Sequence, residues 1–196
     1  MKTGIISYGA GNVASVQNAL TRLGESSFVS SDINELSKAE RLIFPGVGHA
    51  QRAMEALKER GIDKFFENYN RPVLGICLGM QLMGINSEEG ETNALGLIDF
   101  KVKKFTRQLK VPHTGWNSIS IATPNPLFRG IDIGTYFYFV HSYFAPLCSN
   151  TIATCNYGND FTAAAVRDNY YGVQFHPEKS GDAGSELLKN FIDLCI

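Results

Sequence analysis

Val73-Leu74-Gly75-Ile76-Cys77-Leu78-Gly79-Met80-Gln81 carries the reading that decides the fold. Val73–Ile76 is a short β-rich run, and Leu78–Met83 takes up a helical pattern directly after it. Between them stands Gly75-Ile76-Cys77-Leu78-Gly79, a G-x-C-x-G with cysteine where many hydrolases have serine. A sharp strand–turn–helix holds its central residue in a strained conformation, and side chains two residues before and after it would collide. Glycine at Gly75 and Gly79 removes that collision. The positive end of the helix behind Cys77 favours a thiolate, and the Leu78 N–H is half of an oxyanion hole. The same pentapeptide also fits a buried cysteine at a strand end, with glycines for close packing.

Outward from this turn, the first half of the chain alternates strand and helix patterns. Thr3–Ser7, Phe28–Ser30, Arg41–Phe44 and Val73–Ile76 read as strands, the third stopped by Pro45-Gly46. Val13–Leu23, a helix opened by Asp32-x-x-Glu35 as a capping box, Ala50–Arg60 closed by Gly61, and Ile62–Tyr69 read as helices. The second half is richer in strands: Leu97–Phe105, Asn117–Ile121, Thr135–His141, Thr151–Tyr157, Phe161–Arg167 and Tyr171–Phe175, with Gly184–Leu194 a closing helix. The pattern predicts an α/β fold of three layers, α/β/α. Its central sheet is mostly parallel, with antiparallel strands added on one side. A chain of 196 residues suits a single domain spanning residues 1–196.

The bulk numbers exclude several classes. A net charge of −1, with no basic run longer than Lys103-Lys104, argues against nucleic acid. No apolar stretch reaches membrane-spanning length, and the N-terminus lacks the features of a signal peptide, which predicts a cytoplasmic protein. Cys77, Cys148, Cys155 and Cys195 match neither a zinc pattern nor a redox C-x-x-C. They read as free thiols, three of them small apolar filler, with no metal and no cofactor implied.

A cysteine nucleophile needs a base, and Tyr171-Gly172-Val173-Gln174-Phe175-His176-Pro177-Glu178-Lys179-Ser180 offers one. His176 and Glu178 are two apart at a strand end, so in extended geometry they point the same way. Pro177 biases His176 toward that geometry. Glu178 can hold the imidazole while His176 holds the thiol, giving Cys77, His176 and Glu178 as an activated nucleophile with an oriented base. His49, His113 and His141 read first as surface or packing residues. Ile43-Phe44-Pro45-Gly46-Val47-Gly48 is a candidate second half of the oxyanion hole, although a Pro-Gly turn alone is common.

Gly9-Ala10-Gly11-Asn12-Val13-Ala14 pulls another way. It reads G-x-G-x-x-A after a strand, with Asp32 about twenty residues on, as a dinucleotide-binding turn requires. That fingerprint is short, Asp32 also serves as a helix cap, and the length leaves no room for a substrate domain. An NAD-dependent oxidoreductase is therefore the remote alternative.

Pro45-Gly46-Val47-Gly48, Gly75-Ile76-Cys77-Leu78-Gly79-Met80-Gln81 and His176-Pro177-Glu178-Lys179-Ser180 together resemble the class I (triad) glutamine amidotransferases. Tyr8-Gly9-Ala10-Gly11-Asn12, Pro112-His113-Thr114-Gly115-Trp116-Asn117 and Tyr136-Phe137-Tyr138-Phe139-Val140-His141-Ser142-Tyr143 extend the resemblance over the whole length. Thr114 departs from the pattern, which has methionine or another apolar residue there. The resemblance implies the flavodoxin-like fold of that family and hydrolysis of L-glutamine by Cys77, His176 and Glu178. It implies an oxyanion hole from Leu78 and the peptide of Val47 or Gly48. It also implies that glutamine is held by Gly46, Gln81 and the backbone of His141, Ser142 and Tyr143. The closest branch of the family implies a heterodimer with a (β/α)8-barrel cyclase of histidine biosynthesis that receives the ammonia. Asn12, Trp116, Tyr138 and Lys179 are the partner-facing candidates, and the glycine turn after the first strand is assigned to the sheet edge near that face. The aromatic run Tyr136–Phe139 otherwise reads as a strand buried on both faces. A paralogue that feeds a different synthase, such as one modifying a surface sugar, is the alternative.

Overall fold

A computed structural model describes residues 2–9, 11–106 and 110–194; Ala10 of the glycine turn and the fourth cysteine, Cys195, lie outside them. The first half runs β1 (Thr3–Ile6), α1 (Val13–Arg22), β2 (Ser27–Ser30), α2 (Ile33–Leu36), β3 (Arg41–Gly46), α3 (Ala50–Glu59), α4 (Ile62–Asn68), β4 (Val73–Cys77) and α5 (Leu78–Leu82). The second half runs β5 (Asn86–Ser87), β6 (Thr92–Asn93), β7 (Lys101–Lys104), β8 (His113–Ser118), β9 (Ser120–Ile121), β10 (Tyr136–His141), β11 (Tyr143–Phe144), β12 (Thr151–Tyr157), β13 (Asn159–Arg167), β14 (Tyr170–Val173) and α6 (Gly181–Asp193).

The central sheet has the order β2-β1-β3-β4-β14-β13-β12-β9. The first five strands pair in parallel, and β13, β12 and β9 follow antiparallel. Successive side chains of its interior strands enter opposite cores, because strand side chains alternate between faces. Ile5, Ile43 and Leu74 join α1 and α6 in one apolar cluster. Ile6, Leu42 and Val73 join α3 and α4 in the other. Both faces of the sheet are thus covered, which gives the three layers and explains why β4 reads as continuously apolar.

Four expectations need correction. β3 continues through Pro45-Gly46 instead of stopping before them. β1 pairs with β3 only over Arg41–Ile43, so at Pro45 the strand is paired on the β4 side alone and the missing N–H leaves no gap in a ladder. The Leu97–Phe105 strand shrinks to β7, because Ile98 N–H bonds to Met83 O and not to a strand, while Ile98 and Phe100 are buried from a loop. Asn117–Ile121 splits between two strands. Of these, β8 pairs only with β10 in a separate two-stranded sheet, and β7 joins a small sheet of order β11-β7-β5-β6. The Asp32 box is half formed. Asp32 Oδ1 accepts from Asn34 N–H at 2.8 Å, but Glu35 takes the Ser30 hydroxyl and leaves the Asp32 N–H to Ser30 Oγ.

Candidate active site

β4 delivers Cys77 to the carboxyl end of the sheet, beside Gly46 of β3. Cys77 has φ 54° and ψ −108°, a region that a residue with a Cβ adopts only when its surroundings compel it. The compulsion is close packing. A Cβ on Gly75 would lie 2.8 Å from Met80 N and 2.9 Å from the Gly79 carbonyl carbon. One on Gly79 would lie 1.9 Å from Phe44 O, so the second glycine answers chiefly to the neighbouring strand and not to its partner across the turn. Gly46 is pressed between Gly79 N, Leu78 and the Tyr8 hydroxyl. Tyr8, fully buried, donates to Pro45 O at 2.9 Å. Burial, with the Cys77 charge behind it, pushes its phenol up, so it stays a donor. Gly11 of the glycine turn also packs on Pro45. That turn follows β1, an interior strand lying between β2 and β3, so it belongs to the carboxyl end of the sheet and not to a side edge.

The segment after β14 brings the second group. His176 N–H bonds to Tyr138 O at 2.9 Å, and Ser180 Oγ donates to His176 O while accepting from Tyr138 N–H, which pins the turn to β10. His176 Nδ1 and Glu178 Oε1 are 2.8 Å apart, and both side chains are only 2% exposed. Burial pushes the His176 imidazolium down, but the Cys77 and Glu178 charges and the Glu178 hydrogen bond outweigh it and hold the ring up. His176 Nε2 makes no hydrogen bond of ordinary geometry among the described residues. Such contacts tighten when substrate arrives.

A cavity of about 350 Å³ opens at Cys77, lined by Val47, Gly48, Leu78, Gln81, Glu89, Pro112, Val140, His141, Ser142 and Tyr143. Eight expected site residues therefore meet at one wall: Cys77, Leu78, Val47, Gly48, Gln81, His141, Ser142 and Tyr143. Gly46 lies outside the lining, in the packing just described. Gly48 has φ +105°, and Val47 is exposed, so the peptide between them stands at the cavity on a glycine hinge.

Two lining or neighbouring groups went unread in the sequence. Glu89 sits in the acidic stretch Glu88-Glu89-Gly90-Glu91, where nothing local singles it out; its Oε2 accepts from Ala50 N–H at 2.8 Å. Gln174 is fully buried, accepts from Gln81 Nε2 at 2.9 Å and places Nε2 3.7 Å from Cys77 Sγ. The alternation that aligned His176 with Glu178 would have aligned Gln174 too. Cys77 Sγ also lies 3.8 Å from Val140 O. His113 and His141 are a buried pair, Nδ1 to Nε2 at 2.9 Å, and His49 caps α3. Burial pushes His113 down to about 4 and His141 to about 3.

The partner-facing candidates cluster. Trp116 is opposite Tyr138 in the β8–β10 register, with ring centroids 6.2 Å apart and Trp116 55% exposed. Lys179 Nζ lies 5.9 Å from the Tyr138 ring. Asn12 caps α1, which packs against the turn carrying Lys179. Thr114 shares the exposed side of β8 with Trp116. β10 is not buried on both faces: Phe137, Phe139 and His141 point in, while Tyr136 is 59% exposed. Among the described residues Cys77, Cys148 and Cys155 are free, Cys148 only half-buried, and no group of three His, Cys, Asp or Glu is set to hold a metal. No helix of the described chain is long and apolar enough to cross a membrane.

The family model for glutamine amidotransferase class-I matches residues 5–194. The chain is 51% identical over 192 residues to the imidazole glycerol phosphate synthase subunit HisH of Yersinia pseudotuberculosis, covering 97% of this chain and 98% of the relative. It is 49% identical over 197 residues to the HisH of Bacteroides fragilis, covering 99% and 100%. A crystal structure of a glutamine amidotransferase superposes with TM-score 0.76 at 19% identity, over 98% of each chain.

Proposed function

Because the chain belongs to the glutamine amidotransferase class-I family, we propose that its cavity hydrolyses L-glutamine as the glutaminase subunit of an imidazole glycerol phosphate synthase. The observation that carries this reading is the strained cysteine facing the cavity, with a buried His176–Glu178 pair beside it. Cys77 sulfur attacks the side-chain amide carbon of glutamine. The oxyanion forms toward Leu78 N–H and the peptide at Val47–Gly48, where preorganised N–H groups lower the barrier. His176, oriented by Glu178, carries the thiol proton to the departing nitrogen, and ammonia leaves a thioester. Water adds to the thioester, His176 takes its proton and returns it to sulfur, and glutamate departs. No metal or other cofactor enters any step.

The charges of the lining fit the amino-acid end of glutamine. Glu89 is the one carboxylate among the described lining residues and suits the α-ammonium. No described lining residue is cationic at neutral pH, since burial keeps His141 neutral. The α-carboxylate then falls to backbone N–H groups of the His141–Tyr143 segment, while Gln81, whose NH2 hydrogens go to Tyr143 O and Gln174 Oε1, offers its carbonyl oxygen to a donor of the substrate.

Residues 5–194 match the amidotransferase family model, and the similar HisH chains are subunits of a synthase, so in this reading the ammonia is used in another subunit. Free ammonia is mostly protonated near neutral pH, so a partner must seal the mouth. We take that partner to be a (β/α)8-barrel cyclase that converts the nucleotide PRFAR to imidazole glycerol phosphate and AICAR. It docks on the Trp116, Tyr138 and Lys179 patch and on Asn12, with Trp116 and Tyr138 of the residue types that anchor interfaces.

The test uses the complex with that cyclase. Cys77→Ala is expected to abolish synthesis from glutamine by at least about 1000-fold while ammonium salts still support it. Loss of both activities, or survival of the glutamine-dependent one, would overturn the division of labour. Synthesis with a different synthase but not with this cyclase would redirect the reading to a paralogue.

A further inference from the structure

The Tyr143 carbonyl oxygen accepts two side-chain donors: His141 Nδ1 at 2.8 Å and Gln81 Nε2 at 2.8 Å. A carbonyl can only accept, so this one atom fixes the direction of every hydrogen bond that follows on both sides. On one side, a neutral His141 with its proton on Nδ1 must accept at Nε2. His113 therefore donates from Nδ1 at 2.9 Å, and its Nε2 accepts from Asn117 Nδ2 at 3.3 Å. On the other side, the second hydrogen of Gln81 Nε2 goes to Gln174 Oε1 at 2.9 Å. The Gln174 amide is then turned so that its NH2 group faces Cys77 Sγ, 3.7 Å away. A flipped Gln174 would set NH2 against NH2. Gln174 is completely buried, so water cannot replace it.

We infer that Gln174 is a positioning residue for the nucleophile: its amide N–H, aimed by Gln81 and the Tyr143 carbonyl, holds the Cys77 sulfur as a thiolate in line with the cavity. This rests on the glutaminase reading above and adds a residue to it. The resting thiol has a second partner, since Val140 O lies 3.8 Å from Sγ and can accept its proton. Once that proton leaves for His176, the Val140 carbonyl faces a negative sulfur and repels it. Gln174 then supplies the neutral donor that keeps the sulfur in place. A donor to a charged acceptor is worth roughly twice a neutral hydrogen bond, and more where water is excluded.

The test compares Gln174→Met and Gln174→Glu with wild type, each assayed in the complex with the cyclase. Methionine keeps the length and apolar stem but has no N–H. It is expected to lower kcat about 10- to 100-fold with KM for glutamine within about 3-fold, the split expected for a bond that matters after binding. The glutamate variant still accepts from Gln81 but sets a carboxylate beside the sulfur. The pH of half-maximal inactivation by iodoacetamide is expected to move upward in it. Because its shape is nearly that of glutamine, it carries the test should the methionine variant fail to fold. Wild-type kcat with an unmoved inactivation profile overturns the inference, as does a raised KM at unchanged kcat, which would make Gln174 part of the glutamine pocket. A wild-type complex that does not hydrolyse glutamine at all would instead overturn the underlying reading.

Discussion

Cys77 can stand at φ 54° because its neighbours have no side chains to object, and Gly79 is the tightest of them. Gly79→Ala forces a methyl group against the Phe44 carbonyl, backbone against backbone, with no flexible end to give way. We expect it to cost about 3 kcal/mol and to open the elbow, lowering glutaminase activity more than tenfold. Gly96→Ala is the control: it meets nothing within 4 Å and bears only its φ of +68°, a cost of about 1 kcal/mol. Urea unfolding of the two variants compares them directly, and equal losses would remove steric packing as the reason for glycine at 79. Cys77 and His176 could be singled out in the sequence because each brings a local signature: glycines at fixed offsets, and a carboxylate two residues past a histidine. Glu89 brings none, and Gln174 only its place two residues before His176. One is an acid among acids, and the other is a polar residue in an apolar run whose side-chain partners, Gln81 and Cys77, lie 93 and 97 residues away.

Elements whose burial is decided locally were readable, and those whose partners are chosen at a distance were not. α1, α3 and β12 fall almost where their periodicity puts them. β8 and β10 have the composition of sheet strands, yet no local pattern says that they pair with each other and leave the central sheet. The same holds for β3 and its last two residues, which persist because β4 lies on one side and Tyr8 holds the carbonyl of Pro45. That tether joins the turn after β1 to the strand end just before the Val47–Gly48 peptide and holds that strand end in place. Tyr8→Phe removes the donor and leaves a buried carbonyl unpaired, with ring packing on Phe44 retained. The expected loss is about 1–3 kcal/mol, read as a lower urea midpoint at unchanged slope. An unchanged midpoint would mean that Pro45 O is satisfied some other way.

At the scale of the whole molecule, the topology puts Cys77 at the end of β4 and His176 just past the end of its neighbour β14, although about half the chain separates them. The candidate site therefore sits at the carboxyl end of the parallel strands, the usual crevice of such sheets, while the short β8–β10 sheet lines it through Val140 and His141 and carries the proposed docking patch. The alternation of strands and helices points to a parallel half with antiparallel strands beside it, but neither the order of the strands nor this β8–β10 cap is written locally. The cap has a cost that pH reveals, because it buries two histidines side by side. In the unfolded chain both titrate near 6.5. In the fold, burial pushes His141 down to about 3 and His113 to about 4. Between those values and about 6.5 the unfolded state binds protons that the folded state refuses, so stability falls as pH falls through this window. His176 has the opposite sign: its folded value is raised, so its contribution is complete below about 6.5 and is lost only as pH rises toward that raised value. Among the histidines the acid flank thus belongs to the pair under the cap. His141 alone should give a slope of about 1 kcal/mol per pH unit near pH 5. Thermal or urea unfolding from pH 7 to pH 5 is expected to show declining stability in the wild type. His141→Asn should decline less steeply, whatever its stability at pH 7. Parallel slopes for the two proteins would mean that the pair takes up protons in the folded state, and that the neutral chain from Asn117 to Tyr143 does not persist in acid.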